Sequence, residues 1–243
     1  MWAGTPHCVL SGMLVLLVLL THSSVLGAAA LIVDTDRHEV RVSATVNVAA
    51  FQGLQTRLVG MPGYHLLVWN EGRAAGNALF VTAASDTAFH EALVRVGASP
   101  GNALGMDTWE ERRNPESHAP DKIIQGTPVD ISVVWEGQEA PVPISALLED
   151  PGGRGFDFRF GGHLKNAPVW RSGCGVCLYS CPGSKVGNAA YTVRDYVAGK
   201  TEFRARKDLL PEPGVPVWLI FTLRTDGQFP PFGKGGEGGI SPP

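Results

Sequence analysis

Residues 40–48, VRVSATVNV, alternate apolar and polar side chains without a break. In an extended strand successive side chains point to opposite faces, so every second residue from Val40 to Val48 lies on one face. Such alternation is typical of a strand that buries one side and exposes the other. This stretch therefore predicts a fold built mainly from β-strands.

Five further segments share this apolar, β-branched and aromatic composition and are bounded by Gly, Pro, Asn or Asp. They are residues 64–69, 79–82, 128–135, 156–160 and 215–223. Pro216 lies within the last segment, so we predict that its strand begins at Val217.

One segment predicts a helix with defined ends. Ser85 is a suitable N-cap, apolar residues follow at i, i+3, i+4 spacing, and Gly97 supplies the stop. A weaker helical pattern covers residues 144–149. The fold class that follows is α+β, with mostly antiparallel strands and one well-defined helix near residues 85–97.

The N-terminus has the pattern of a secretory signal peptide. Residues 9–20 are uncharged and apolar, but a helix that crosses a bilayer needs about 20 residues. Small residues follow, and we place the cleavage after Gly27, with Ala28 or Ala29 as alternatives. Because no Lys or Arg precedes the apolar run, a short uncleaved anchor is the competing interpretation. The chain is thus predicted to be exported, periplasmic or extracellular, and to contact a membrane only if residues 1–27 stay attached.

Composition limits the classes of partner. Charged residues make up 18% of the chain and hydrophobic residues 44%, which is typical of a globular protein. The net charge of −3 argues against nucleic acid or an anionic membrane surface, since both select basic proteins.

We predict a single α+β domain at residues 28–226. Residues 126–129 (GTPV) and 214–217 (GVPV) each open a long apolar strand. This fits either two related halves, 31–112 and 121–226, or the same turn chemistry used twice.

Residues 109–121 predict a polar surface connection. Residues 227–243, dominated by Gly and Pro, predict a flexible tail.

Three cysteines beyond the apolar run lie close together, in the sequence GCGVCLYSCPG of residues 173–183. Their spacing, C-x2-C-x3-C followed by proline, lets thiolates converge from one short loop. Gly173 and Gly175 permit backbone angles that other residues resist, and Pro182 ends the loop without needing a partner for its nitrogen. The predicted thiolate ligands are Cys174, Cys177 and Cys181.

The spacing leaves the bound group open. Bacterial ferredoxins hold [4Fe–4S] clusters with C-x2-C-x2-C-x3-C-P, and here Arg171 occupies the position of the first cysteine. Another ligand is therefore needed, and His163 is the best candidate, ahead of Asp157, Asp195 or water. Zinc suits a Cys3His set, and Cu(I) suits soft thiolates. Exported clusters usually require a twin-arginine signal, which is missing before the apolar run, and this favours a single ion.

Two other hypotheses use the same cysteines. Export favours a disulfide, Cys177–Cys181 or Cys174–Cys181, with one thiol left over. A thiol oxidoreductase would use Cys174 or Cys177 as its nucleophile. Of the remaining histidines, we expect His90 to face solvent from its helix, and His65 to be a hydrogen-bonded strand residue rather than a ligand.

Two segments resemble the YdjY-like family of bacterial exported proteins. They are FVTAASDTAFHEALVRVGASPG at residues 80–101 and WRSGCGVCLYSCPGSKVGNAAY at residues 170–191. With the signal-like start, the similarity covers most of the chain beyond the apolar run. Members are described as ferredoxin-like because of the cysteine loop, so the resemblance implies a redox or iron–sulfur role, with no catalytic residue attached.

The sequence therefore predicts an exported protein whose cysteine loop binds an iron–sulfur cluster or a single zinc or copper ion. We expect it to transfer electrons to a redox partner protein. The alternatives are a binding or accessory module with a disulfide-stabilised loop, and a thiol–disulfide oxidoreductase. Whether the protein is an enzyme stays open.

Overall fold

The structure is a computed structural model that describes Met1 and residues 30–51 and 63–224. The predicted signal peptide, its cleavage at Gly27 or Ala28 and the predicted tail at 227–243 lie outside these residues.

Strands dominate the described residues. They are β1 (Leu31–Asp34), β2 (Glu39–Val46), β3 (His65–Trp69), β4 (Ala78–Thr82), β5 (Val129–Trp135), β6 (Val142–Pro143), β7 (Leu148–Glu149), β8 (Phe158–Phe160), β9 (Cys174–Cys177), β10 (Val186–Asn188), β11 (Arg204–Ala205) and β12 (Pro216–Leu223). The α-helices are α1 (Val48–Phe51), α2 (Asp86–Arg95), α3 (Met106–Arg113), α4 (Ile144–Leu147), α5 (Ala167–Trp170) and α6 (Val193–Val197).

One large mixed sheet organises the molecule, in the order β6-β5-β12-β2-β4-β3-β9-β10-β8, with β1 paired to β2. The β3–β4 and β9–β10 pairs are parallel, and the remaining pairs in this sheet are antiparallel. Strands β7 and β11 form a small separate ladder. The predicted α+β class with mostly antiparallel strands is confirmed. Both proposed halves contribute to this one sheet: the strands of residues 31–112 lie in its middle, and those of residues 121–226 flank them on both sides.

The alternating stretch at residues 40–48 forms β2 and the start of α1. Val40, Val42, Ala44 and Val46 are buried, whereas the residues between them are more exposed, as the alternation predicts. The strand ends at Val46, two residues before the predicted end, because Val48 begins α1. At the other side of β2, β12 begins at Pro216 rather than at the predicted Val217.

The predicted helix at 85–97 is α2. The Ser85 hydroxyl accepts a hydrogen bond from the Ala88 N–H at 3.1 Å, so Ser85 is the N-cap. Gly97, just beyond the last turn, has φ of +102°, a left-handed conformation that favours glycine. Phe89 turns toward the sheet, and its ring lies 4.7 Å from that of Phe221 in β12. Helix α2 therefore covers the middle of the sheet.

Two segments differ in part from their predictions. The weaker helix at 144–149 ends at Leu147, because Leu148 and Glu149 pair with β11 as a strand. Most residues of the predicted surface connection at 109–121 are exposed, but helix α3, which begins at Met106, extends into it. Trp109 is the reason, since it packs its ring on Trp170 and Tyr196 and so ties a polar helix to the fold. None of the described helices combines the length and apolar character needed to cross a bilayer.

Candidate metal centre

The candidate site lies where β3 pairs with β9, near the middle of the sheet. His65 is opposite Cys177, Leu67 is opposite Val176, and Val68 is opposite Cys174. The register shifts twice along this pair, so each strand carries one extra residue.

These irregularities explain how the first two cysteines meet. In a regular strand, residues three apart point to opposite faces, which would separate Cys174 from Cys177. A β-bulge bends the strand and re-aims side chains, and bulges occur often next to functional sites. At the bulge in β9, the Gly175 carbonyl accepts a hydrogen bond from the Lys185 N–H at 3.2 Å. Both thiols therefore reach the same side, together with His65.

Three side chains offer donor atoms that all lie within 4.8 Å of one another: His65, Cys174 and Cys177. The His65 Nδ1 atom lies 3.3 Å from Cys174 Sγ. All three residues are buried, and Cys177 has no exposed surface. A buried imidazole and two buried thiols form a compact donor set for a soft transition-metal ion.

The third cysteine, Cys181, is not a member of this group. Its N–H donates to the Tyr179 carbonyl at 2.7 Å, and its Sγ accepts a hydrogen bond from the Gly183 N–H at 3.4 Å. Of the three predicted ligands, Cys174 and Cys177 therefore share the donor group with His65. No disulfide joins the three thiols, which are all buried.

The residues predicted to shape the loop have distinct contacts. Gly173 has φ of +67°, and a Cβ there would lie 2.7 Å from the Gly72 Cα. At Gly175 a Cβ would lie 3.3 Å from the Phe89 ring, so the bulge passes close under α2. The Pro182 carbonyl accepts a hydrogen bond from Asn166 Nδ2 at 2.6 Å. Glycine at position 173 suits a left-handed backbone conformation, and glycine at position 175 allows β9 to pass close to α2.

The side chains of His65, Cys174 and Cys177 shift one another's pKa values. A hydrogen bond from the Cys177 thiol, aided by the His65 imidazole, outweighs burial and lowers the pKa of Cys174 to about 5. Burial raises the pKa of Cys177 well above its usual value, and the adjacent Cys174 and Cys181 raise it further. Burial lowers the pKa of His65, but the attraction of the Cys174 thiolate outweighs it and the net shift is upward. The contact between the two groups thus favours the thiolate form of Cys174 and shifts the pKa of His65 upward.

A buried cation lies behind the thiols. Lys185 has no exposed surface, and its Nζ atom lies 2.9 Å from the Asp86 carboxylate at the start of α2. The ammonium charge also favours the thiolate form of Cys174 and so helps to lower its pKa. Removing either partner would leave the other charge buried without a counter-charge, which is costly.

The structure places His163 away from the donor group. Its Nδ1 donates to the Ser184 carbonyl at 3.1 Å, and its Nε2 accepts from the Leu104 N–H at 3.3 Å. With both ring nitrogens committed to the backbone, His163 is a structural residue, and burial lowers its pKa to about 4.

Other predicted positions also differ from expectation. His90 is buried against the Phe160 ring at 5.0 Å rather than solvated, because α2 lies flat on the sheet. Asp157 and Asp195, considered as further ligands, are paired with arginines instead. Asp157 binds Arg159 and Arg224, and Asp195 binds Arg154.

The histidine that does meet the thiols is His65, which the sequence suggested as a strand residue rather than a ligand. It precedes Cys174 by 109 positions, so no local spacing connects them. One feature of the sequence could have indicated His65. It lies at the start of an apolar strand, where its imidazole is expected to be buried and therefore to need a polar partner.

Comparison with known proteins now identifies the family. A model of the YdjY domain matches residues 31–222. The chain belongs to the YdjY domain family. It is 32% identical over 192 residues to the uncharacterized protein YdjY of Escherichia coli (strain K12), a match that covers 79% of this chain and 77% of that protein. No solved structure matches. The YdjY domain begins at β1 and ends within β12, so it contains the whole large sheet and the thiol site.

Proposed function

We propose that this chain binds a single transition-metal ion through His65, Cys174 and Cys177, with Cys181 as the fourth ligand. The observation that carries the proposal is the convergence of three buried donor atoms within 4.8 Å of one another. Burying an imidazole and thiols costs free energy, and an ion that binds all of them in the folded chain offsets that cost.

The donor separations fit a tetrahedral ion. Zinc bonds of about 2.3 Å to sulfur and 2.0–2.1 Å to nitrogen place neighbouring donors about 3.5–3.8 Å apart. The His65 Nδ1 to Cys174 Sγ distance of 3.3 Å lies just below this range, and no two donors of the group are more than 4.8 Å apart. The three donors are therefore close enough together to share one ion.

A single ion fits better than an iron–sulfur cluster. Iron–sulfur clusters are usually held by four cysteine thiolates, whereas the donor group here consists of two cysteines and one histidine. Soft thiolates with one imidazole suit zinc or copper. Copper, when bound, would supply one-electron redox chemistry, which agrees with the predicted electron transfer to a redox partner protein. Zinc would make the centre structural.

The chain's own residues prepare the site for a cation. Ligating thiols must lose their protons, and the lowered pKa of Cys174 makes that loss easier. The Gly183 N–H donates to the Cys181 sulfur at 3.4 Å and so orients it.

The test is elemental analysis of purified full-length protein. We expect about one zinc or copper per chain, lost in His65→Gln and Cys177→Ser and retained in His163→Gln, the matched histidine control. Metal that survives both site variants, or protein that takes up none when zinc and Cu(I) are supplied, would overturn the proposal.

A thiol–disulfide oxidoreductase is the second candidate, because Cys174 is held as a thiolate in contact with another thiol. Thiol counting separates the two functions. When metal-free protein has been exposed to air and is then denatured, Cys174, Cys177 and Cys181 all stay reactive if the site serves only a metal. Only one of these three stays reactive if the other two form a reversible disulfide.

We also propose that the mature protein is exported after cleavage near Gly27. The support is the sequence pattern of residues 1–27 alone. N-terminal sequencing of protein recovered from a bacterial periplasmic fraction tests it. A start at Ala28, Ala29 or Ala30 supports cleavage, and a start at Met1 in the membrane fraction would instead indicate an anchor.

A further inference from the structure

Aromatic rings lead from the thiol site toward the surface. The Tyr64 ring centre lies 4.2 Å from that of His65 and 4.8 Å from that of Tyr196. Tyr179 stacks on Tyr196 at 4.8 Å with an interplanar angle of 5°. These three tyrosines form one contact group beside the cysteines.

Two tryptophans continue this path outward. The Trp109 ring of α3 lies 5.9 Å from Tyr196 and 5.1 Å from the Trp170 ring of α5. Both tryptophans are half-buried, and Val169, beside Trp170, is 62% exposed. We call the five residues Tyr64, Tyr179, Tyr196, Trp109 and Trp170 the aromatic array.

The inner end of the array contacts the ligands themselves. The Tyr179 carbonyl accepts a hydrogen bond from the Cys181 N–H at 2.7 Å. Tyr64 contacts the His65 ring. The array therefore reaches both a cysteine of the loop and the imidazole, while its outer end reaches solvent at Trp109 and Trp170.

The composition of the array differs from that of the other aromatic contacts in the described residues. Elsewhere each aromatic pair includes a phenylalanine, as in Phe89–Phe221 and Tyr191–Phe203. The array contains only tyrosine and tryptophan, the two aromatic side chains that one-electron oxidants readily oxidise. Phenylalanine or leucine would fill the same space if packing were the whole requirement.

We propose that the aromatic array carries single electrons between the thiol site and the surface at Trp109 and Trp170. This inference rests on the proposed function, since it takes the thiol site as the electron donor. A one-electron oxidant at the surface removes one electron from an indole and leaves a radical cation. A cysteine thiolate then returns one electron to the indole across the tyrosine contacts and becomes a thiyl radical, while the phenol groups keep their protons. The net result is one electron moved from sulfur to the oxidant, with no atom transferred.

The test uses the full chain, reduced, both as purified and after chelation of any metal. Photogenerated tris(bipyridine)ruthenium(III) serves as the oxidant and becomes ruthenium(II) when it takes the electron. Transient absorption follows the decay of the indole radical. We expect a fast decay that slows at least tenfold in Tyr196→Leu, and also when Cys174, Cys177 and Cys181 are all replaced by serine.

Trp135→Phe, in β5 and outside the array, is the matched control and should leave the fast decay unchanged. Should Tyr196→Leu fail to fold, Trp109→Phe keeps a ring in place and removes the oxidisable indole, and it should abolish the fast decay. A fast decay that persists in Trp109→Phe or in the serine variant would overturn the inference. Because the chelated protein still carries its thiolates, failure to bind metal and failure of the array give different results.

Discussion

Gly173 shows at the residue scale how the backbone controls the cysteine loop. Its φ of +67° costs a side-chain-bearing residue roughly 1–2 kcal/mol, and a Cβ would also meet the Gly72 Cα at 2.7 Å. Gly153 has nearly the same φ, +68°, with no heavy atom within 4 Å of a built Cβ.

We predict that Gly173→Ala lowers the free energy of unfolding by more than Gly153→Ala, because only the first forces the loop away from Gly72. Urea denaturation of both variants measures the difference. An equal loss of unfolding free energy in both variants would mean that the left-handed backbone accounts for the whole effect. The loop would then move away from Gly72 at no measurable cost.

The imidazole of His65 is the second residue-scale determinant. It adds to the hydrogen bond from Cys177 in lowering the pKa of Cys174 to about 5. We predict that His65→Gln raises the pKa of Cys174 in metal-free protein, whereas His163→Gln leaves it unchanged. Ultraviolet titration of the thiolate measures the pKa of Cys174 in both variants. An unchanged pKa in His65→Gln would contradict the contact between His65 and Cys174.

The same shift has a defined sign for stability. The pKa of Cys174 in the folded protein lies below the unfolded value of about 8.5, so its thiolate contributes stability above the unfolded value. That contribution decreases as the pH falls from about 8.5 and is lost once it passes below about 5.

At the scale of elements, α2 depends on its N-cap. The Ser85 hydroxyl satisfies the Ala88 N–H, which otherwise lacks a partner in the first turn. We predict that Ser85→Ala costs about 1 kcal/mol in thermal or urea unfolding, and that Ser85→Asp, which keeps an acceptor, costs much less. A similar loss in both variants would show that the hydroxyl acts through some contact other than the cap.

The β3–β9 pair is the element that builds the site. Its two register shifts bring residues from strands far apart in sequence to one side of the sheet. The parallel pairs on either outer side, β3–β4 and β9–β10, hold these irregular strands in place. Three of the four proposed ligands, His65, Cys174 and Cys177, therefore belong to paired strands, whereas Cys181 lies in the connection between β9 and β10.

At the scale of the whole molecule, the buried Lys185–Asp86 pair joins the region behind the thiols to α2. Removing one partner leaves an uncompensated buried charge, so we predict that Lys185→Met costs about 3–5 kcal/mol. In the double variant Lys185→Met/Asp86→Leu, no charge is stranded, and most of that loss should be recovered. A double-mutant cycle by urea denaturation measures the coupling, and simple additivity would contradict it.

Metal removal is the second prediction at this scale. An ion that binds only the folded chain stabilises it in proportion to the logarithm of its concentration over its dissociation constant. We predict that chelation lowers the melting temperature of the wild-type protein and has no effect on a Cys174→Ser/Cys177→Ser variant. Calorimetry with and without chelator measures this, and an equal response of both proteins would show that chelation acts elsewhere.

Much of the local structure followed from the sequence. The alternation in residues 40–48 predicted β2, and the cap and stop residues predicted α2, because strand and helix periodicities are properties of the chain itself. The cysteine spacing predicted a group of Cys174, Cys177 and Cys181, of which the first two share the donor group. In each case the decisive contacts join residues that are near in sequence.

Only the tertiary structure determines which histidine lies beside the thiols. His65 and His163 both lie far in sequence from at least one of the residues they contact, and strand order determines which histidine meets the thiols. Sequence spacing favoured His163, only 11 residues before Cys174, but both of its ring nitrogens bind backbone groups. His65 reaches the site because β3 lies beside β9 and because bulges turn the side chains to one face. No local pattern encodes the order of strands in a sheet, so this part of the site could not be derived from the sequence.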